Sequence, residues 1–286
     1  MPETFSRKLE SAFATFGQLC VGIDPHPELL EQEGFDFSVA GLRTFSFSLL
    51  EELSDSVGII KPQVSFFEQF GSSGFKVLED LCVEASRRGL LVIADAKRGD
   101  IGTTMSAYAN AWLGKAAPFV VDALTVSPYL GVGSLIPAIS AASERGKGVF
   151  ILCATSNPEA KTQQLAHTNG STIAANIAKE VFELNRATAQ SKNRFGSNGL
   201  VIGATVNLIE YGLQDLNAGL TEQKAVVLAP GFGAQGARLT DATRIFGENS
   251  ANAIYSISRS ALRNGLTSVN QTLSQDKLEL SNALIA

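Results

Sequence analysis

The sequence predicts a single-domain (β/α)8 barrel. Eight short apolar segments recur along its 286 residues. Most of the intervals between them carry helical spacing, and most segments end in a polar or Gly/Pro-rich cluster. Strand–helix alternation repeated eight times suits a closed parallel barrel, whereas an open doubly wound sheet more often has fewer strands. A chain of this length commonly forms one such domain, here assigned to residues 1–286. Barrel enzymes carry their chemistry at the C-terminal ends of the strands, where these polar clusters fall.

The first segment, Leu19 to Ile23, ends at Asp24-Pro25, and the second, Val57 to Ile60, at Lys61-Pro62. The third runs from Leu90 to Ala94 and ends at Asp95. Ala123 to Val126 stops at Ser127-Pro128, and Gly148 to Ala154 is closed by Thr155-Ser156-Asn157-Pro158. The sixth, Leu200 to Val206, ends at Asn207. Ala225 to Ala229 leads into Pro230-Gly231-Phe232-Gly233-Ala234-Gln235-Gly236, and Ala253 to Ile257 into Ser258-Arg259-Ser260. Between the second and third segments Phe66, Phe67, Phe70, Val77, Leu78 and Leu81 fit a 3.6-residue face; Ile173, Ile177, Val181, Phe182 and Leu184 do so between the fifth and sixth. The interval at about 156–199 is longer than its neighbours and opens with polar residues. At the catalytic face it suits either a lid or an inert insertion. After Gln271 the chain reads as a polar, weakly amphipathic helix.

Composition narrows the function. Net charge is −5, so no basic field exists to draw in nucleic acid. The segment MPETFSRKLE lacks the apolar stretch of a signal peptide, and no apolar run reaches the ~18 residues of a membrane span. A soluble cytoplasmic protein is the expectation. Cys20, Cys82 and Cys153 lack metal-type spacing and read as buried, reduced thiols. With His26 and His167 the only histidines, a His-rich zinc site is not expected, and acid–base chemistry falls to Lys and Asp.

Three groups of residues point to chemistry. In Asp95-Ala96-Lys97-Arg98-Gly99-Asp100, strand alternation puts Leu91, Ile93, Asp95 and Lys97 on one face, with Asp100 where the strand gives way to a loop. Charge at the end of an apolar strand is costly unless paired. A lysine flanked by carboxylates stays an ammonium and can donate a proton, whereas a Schiff-base lysine must lose its charge. The same six residues also suit an ion pair with Asp100 capping a helix through Thr104 and Tyr108. Second, Gly231, Gly233 and Gly236 let backbone N–H groups approach an anion after the seventh strand. Arg259, after the eighth, offers a forked cation, and Gln235 a further donor. Their placement at strands seven and eight favours phosphate over a plain glycine-rich turn. Third, Asp24 suits a ribose hydroxyl or a turn beside Pro25, Lys61 a second cation or a snorkelling lysine, and Ser156-Asn157 the polar edge of a base.

From Gly22-Ile23-Asp24-Pro25 to Ser258-Arg259 the chain resembles the orotidine 5′-phosphate decarboxylase family, most closely its longer bacterial branch. The most specific match is Asp95-Ala96-Lys97-Arg98-Gly99-Asp100-Ile101-Gly102-Thr103-Thr104. Thr125 to Gly131, Thr155 to Pro158 and Pro230 to Gly236 agree in order and strand position. The resemblance implies cofactor-independent conversion of orotidine 5′-phosphate to uridine 5′-phosphate (UMP) and carbon dioxide, with no metal, flavin, pyridoxal or thiamine. It implies that Lys97 protonates C6, that Asp95 lies beside the substrate carboxylate, and that Lys61 joins the charged network. Asp24 would hold the ribose, Ser156 the pyrimidine, and Gln235 and Arg259 the phosphate. A homodimer is implied, with Asp100, Ile101 and Thr104 reaching into the partner's site. Metal-dependent sugar-phosphate decarboxylases and aldolases share the Asp-x-Lys-x-x-Asp strand. They carry an acidic residue where this chain has Lys61-Pro62, which argues against a divalent ion. A non-catalytic nucleotide sensor would keep the Gly231 loop and Arg259 but would tolerate loss of Lys97.

Overall fold

The computed structural model describes residues 3–285 apart from 54, 188–192, 219 and 221. Its centre is a closed barrel of eight parallel strands: β1 (Leu19–Ile23), β2 (Ile59–Pro62), β3 (Leu91–Arg98), β4 (Ala123–Val126), β5 (Gly148–Ala154), β6 (Asn198–Ile202), β7 (Val227–Pro230) and β8 (Ala253–Ile257). Each strand pairs with its neighbour in chain order, and β8 closes onto β1 with Leu19 opposite Tyr255.

Strand alternation sorts the side chains into two cores. Ile59, Leu91, Ile93, Ala123, Phe150, Val201, Leu228 and Ile254 point into the lumen. Ile60, Val92, Ala94, Leu124 and Ile151 point outward against the helices. The helix Phe5–Phe16 stoppers the lower end, with Phe5, Leu9 and Ala12 packed into the lumen cluster. Phe5 meets Phe150 edge-to-face at 5.9 Å. Phe5 N–H donates to the Gly146 carbonyl at 2.7 Å, and Lys8 pairs with Asp122 at 2.6 Å. A filled lumen of this kind is core, not pore: each such large apolar side chain stabilises by about 1.5–3 kcal/mol relative to exposure.

Inward parity also sets the upper end. Lys61 follows Ile59, Asp95 and Lys97 follow Ile93, and Thr125 follows Ala123, so charged and polar groups cap an apolar column.

β1, β4, β5 and β8 have the bounds expected from the sequence, while β2 and β3 run on through Lys61-Pro62 and Lys97-Arg98. β6 is shorter than expected. It stops at Ile202 because the Gly203 and Ala204 N–H groups donate to the Ala154 and Pro230 carbonyls, both at 2.8 Å, pinning a turn there. Val206 is apolar because it packs in the loop beyond. The phenylalanine-rich pattern after β2 divides into two helices, Val64–Glu68 and Gly71–Arg87, broken where Gly71 adopts φ +61°.

The long interval after β5 holds a short helix Lys161–Gln164, a ribbon pairing His167–Thr168 with Ser171–Thr172, and the helix Ile173–Ala187. Asn169 and Gly170 both have positive φ, as a two-residue hairpin turn requires. The most buried face of the helix is Ala174, Ala178, Val181 and Asn185, one position round from the expected stripe. Ile173 and Ile177 instead border the barrel mouth. Residues 188–192 of this interval lie outside the described residues. The last helix, Val269–Ile285, is anchored by a two-pronged pair of Arg263 with Asp276, at 2.7 and 2.9 Å. No helix among the described residues is long and apolar enough to cross a membrane.

Candidate active site

The capped end of the barrel opens into a cleft of about 950 Å3. At its floor Asp95 holds two lysines, one on each carboxylate oxygen. Lys61 Nζ lies 2.9 Å from Oδ2 and Lys97 Nζ lies 2.6 Å from Oδ1. The environments differ: the Lys61 side chain is 6% exposed and that of Lys97 is 44% exposed. Burial works against the Lys61 ammonium, but Asp95 and Asp24 together outweigh it and hold its pKa above the ordinary lysine value. Burial likewise opposes the Asp95 carboxylate, but Lys61 and Lys97 hold it well below the usual carboxylate range. The floor is therefore an ionised Asp95–Lys61 pair, with the Lys97 side chain on the second carboxylate oxygen and bordering the cleft.

Two residues that the sequence reading does not single out complete this cluster. Thr125 is buried in β4; its Oγ1 accepts from the Lys97 backbone N–H at 2.9 Å, and its hydroxyl donates to Asp95 Oδ1 at 3.0 Å. Gln63 follows β2 and forms an isolated parallel bridge with Asp95. With its amide turned so that the nitrogen donates to the Asp95 carbonyl, its oxygen accepts from Lys97 Nζ at 3.3 Å. The available signal was parity: each is a polar side chain at the mouth end of an apolar strand. Lys97 itself has φ +48°, a left-handed conformation costing a non-glycine residue about 1–3 kcal/mol.

The other end of the cleft gathers the remaining candidates. Ser156, Gln235, Gly231, Asp24 and Arg259 all border it. Ser156 Oγ donates to Gln235 Oε1 at 3.2 Å, tying the loop after β5 to the loop after β7. The Arg259 guanidinium forms no hydrogen bond or ion pair among the described residues and stands exposed at the rim. Asp24 Oδ1 is buried and has no hydrogen-bond partner among the described residues. Gly231 adopts φ +113°. Gly233 does not border the cleft. Its N–H donates to the Ala237 carbonyl at 2.8 Å, and a Cβ there would lie 2.4 Å from Ser260, so glycine serves the close passage of two loops.

Asp100, Ile101 and Thr104 stay outside their own chain's cleft. Ile101 is 61% exposed, an unusual state for isoleucine, and Thr104 is exposed beside it. Asp100 does not cap the helix Gly102–Leu113; its Oδ1 accepts from the Ile101 N–H at 2.8 Å. Cys20, Cys82 and Cys153 are buried free thiols, each pushed by burial up to about 12 and so unsuited as nucleophiles.

The orotidine 5′-phosphate decarboxylase / HUMPS family model matches residues 17–264. A Streptomyces coelicolor protein named orotidine 5′-phosphate decarboxylase is 43% identical over 288 residues, 99% of each chain. The chain belongs to the orotidine 5′-phosphate decarboxylase family. A second decarboxylase of that name, from Salinispora arenicola, is 46% identical over 264 residues, covering 92% of this chain and 91% of its own. A crystal structure from Streptomyces avermitilis, assigned to the same enzyme, superposes with a TM-score of 0.89 at 41% identity, covering 99% of this chain and 97% of the other. The matched residues 17–264 include all eight barrel strands and every cleft residue described above.

Proposed function

We propose that this cleft binds orotidine 5′-phosphate with its pyrimidine over the Asp95 floor, and that Lys97 is the proton donor. The reaction is that of the family: orotidine 5′-phosphate loses carbon dioxide to give UMP, the final step of UMP synthesis. The observation that carries the residue assignment is the Asp95 carboxylate clasped between a buried Lys61 and a half-exposed Lys97.

The C6–carboxylate bond breaks, its electron pair remains on C6, and carbon dioxide departs. The ring delocalises that pair poorly, so stabilisation must come from outside it. A fixed ammonium on Lys97 lowers the energy of the growing negative charge and then transfers a proton to C6. Lys97 recovers its proton from water through its exposed side. Asp95 faces the substrate carboxylate, and two like charges ~4 Å apart repel by about 4 kcal/mol at an effective dielectric of ~20 before the lysines screen them. That repulsion ends when carbon dioxide leaves. Preorganised charge is the main contribution, with this repulsion secondary.

Asp24 and Lys61 take the ribose hydroxyls; the unpartnered, buried Asp24 oxygen suits a hydroxyl donor. Ser156 reads the pyrimidine, while Gln235, the Gly231 turn and Arg259 take the phosphate. The hydrogen bond from Ser156 to Gln235 makes base and phosphate recognition adjacent. Phosphate binding, remote from C6, supplies energy for closing the loop after β5 as a lid.

The active form is a cytoplasmic homodimer in which Asp100, Ile101 and Thr104 complete the partner's cleft. Their position outside their own cleft and the exposure of Ile101 support this arrangement. The scheme calls for no cofactor. Purified protein with excess EDTA is expected to bleach the orotate absorbance and form UMP. Lack of conversion, with activity on a sugar phosphate once magnesium is restored, would refute the assignment.

A further inference from the structure

β3 and β4 pair Ile93 with Ala123 and Ala94 with Leu124, then next pair Arg98 with Val126. Asp95, Ala96 and Lys97 therefore face a single residue of β4, Thr125. This is a β-bulge, a device that re-aims side chains beside functional sites. Lys97 occupies it in the left-handed conformation, with φ +48°.

Thr125 is 1% exposed, and its hydroxyl is committed in both directions. A backbone N–H can only donate, so Oγ1 accepts from Lys97 at 2.9 Å. An ionised carboxylate can only accept, so the single hydroxyl proton goes to Asp95 Oδ1 at 3.0 Å. That same Oδ1 receives Lys97 Nζ at 2.6 Å. One hydroxyl thus fixes the backbone of Lys97 and the oxygen on which its ammonium rests, closing a small ring of hydrogen bonds.

We propose that Thr125 is a positioning residue for decarboxylation, locking the bulge that turns Lys97 toward C6. The proposal rests on Lys97 being the proton donor. Without the hydroxyl, the Lys97 N–H and Asp95 Oδ1 each lose a buried partner, and the bulge competes with regular pairing. Regular pairing would set Ala96 opposite Val126 and carry Lys97 two residues further along β3 relative to β4, away from its hydrogen bond to Thr125. Threonine suits the position because its methyl group packs in the wall while its hydroxyl makes the bridge. Valine has the same shape and cannot bridge.

The test compares wild type, Thr125→Val and Thr125→Ser for kcat and KM with orotidine 5′-phosphate, and for UMP affinity by calorimetry. Thr125→Val is expected to lower kcat about 100-fold, the scale of a 1 Å misplacement. KM and the UMP Kd are expected to stay within about threefold, because binding groups are untouched. Thr125→Ser, which keeps the bridge, is expected to return kcat to within about threefold of wild type. Wild-type kcat in the valine protein, equal slowness in the serine protein, or loss of UMP affinity in step with kcat would each overturn the proposal. If the valine protein does not fold, Thr125→Ala, which only removes atoms, is held to the same expectations. A wild-type protein inactive on orotidine 5′-phosphate would overturn the parent reading, and this proposal with it, before any variant is made.

Discussion

Lys61 Nζ sits 2.9 Å from Asp95 Oδ2, in a pair whose side chains are only 6% and 10% exposed. Removing one partner of such a pair leaves a buried charge uncompensated, so Asp95→Asn is expected to destabilise the fold by about 3–5 kcal/mol near neutral pH. The sign of the pH dependence follows from the Asp95 carboxyl being held below its ordinary value. Its contribution is complete above the unfolded carboxylate pKa, roughly 4, and fades as pH falls through the depressed folded value. Chemical denaturation of wild type and Asp95→Asn should therefore show a constant gap at neutral pH that narrows only on strong acidification. A gap that closes between pH 8 and 6 would contradict the pairing.

Lys97→Ala should separate binding from chemistry. On the proposed role of Lys97 as proton donor, turnover is expected to fall roughly 10³–10⁵-fold while UMP still binds. Steady-state rates alongside calorimetric UMP affinity decide it. Near-normal turnover would remove Lys97 from its role.

Arg259→Ala tests the far end of the cleft. A charge-assisted contact to phosphate is worth about 1.5–3 kcal/mol, so UMP affinity should fall by roughly 10- to 150-fold while that of uridine barely changes. Equal losses for nucleotide and nucleoside would put the phosphate elsewhere.

The dimer prediction is genetic in form. Lys97→Ala and Asp100→Ala proteins, each inactive alone, should regain activity when mixed under conditions of subunit exchange. One cleft of each hybrid then has both intact residues. Exchange shown by mass spectrometry without recovery would place Asp100 in its own chain's site.

Much of this was legible in the sequence because barrel strands are short, apolar and punctuated. β1, β4, β5 and β8 end where an Asp, Ser or Thr interrupts an apolar run, and parity alone put Asp95 and Lys97 on the lumen face. Errors arose where apolar residues continue beyond hydrogen bonding, as at Val206, or where one glycine conformation breaks a continuous pattern, as at Gly71. The ribbon around Asn169-Gly170 carried an Asn-Gly hairpin signal in a segment read only as a polar interval. Thr125 and Gln63 carried only the parity signal, which gives a position but not a role. Their roles come from a bulge and a cross-strand bridge, which are relations between strands distant in sequence. The charged residues stand out by type at the strand ends; the neutral ones that touch them do not.

The helix Phe5–Phe16 stoppers the barrel at the end opposite the catalytic mouth, held there by Lys8 on Asp122 and by Phe5 on Gly146. Cargo joined upstream of Phe5 therefore hangs beneath the barrel, clear of both the substrate entrance and the exposed Ile101 surface. Tethering to a bead or electrode through that end would orient every molecule with its mouth toward bulk solution, so an immobilised film should retain the throughput of the dissolved enzyme. Attachment through the loops after β5 or β7 would instead bring the support against the entrance.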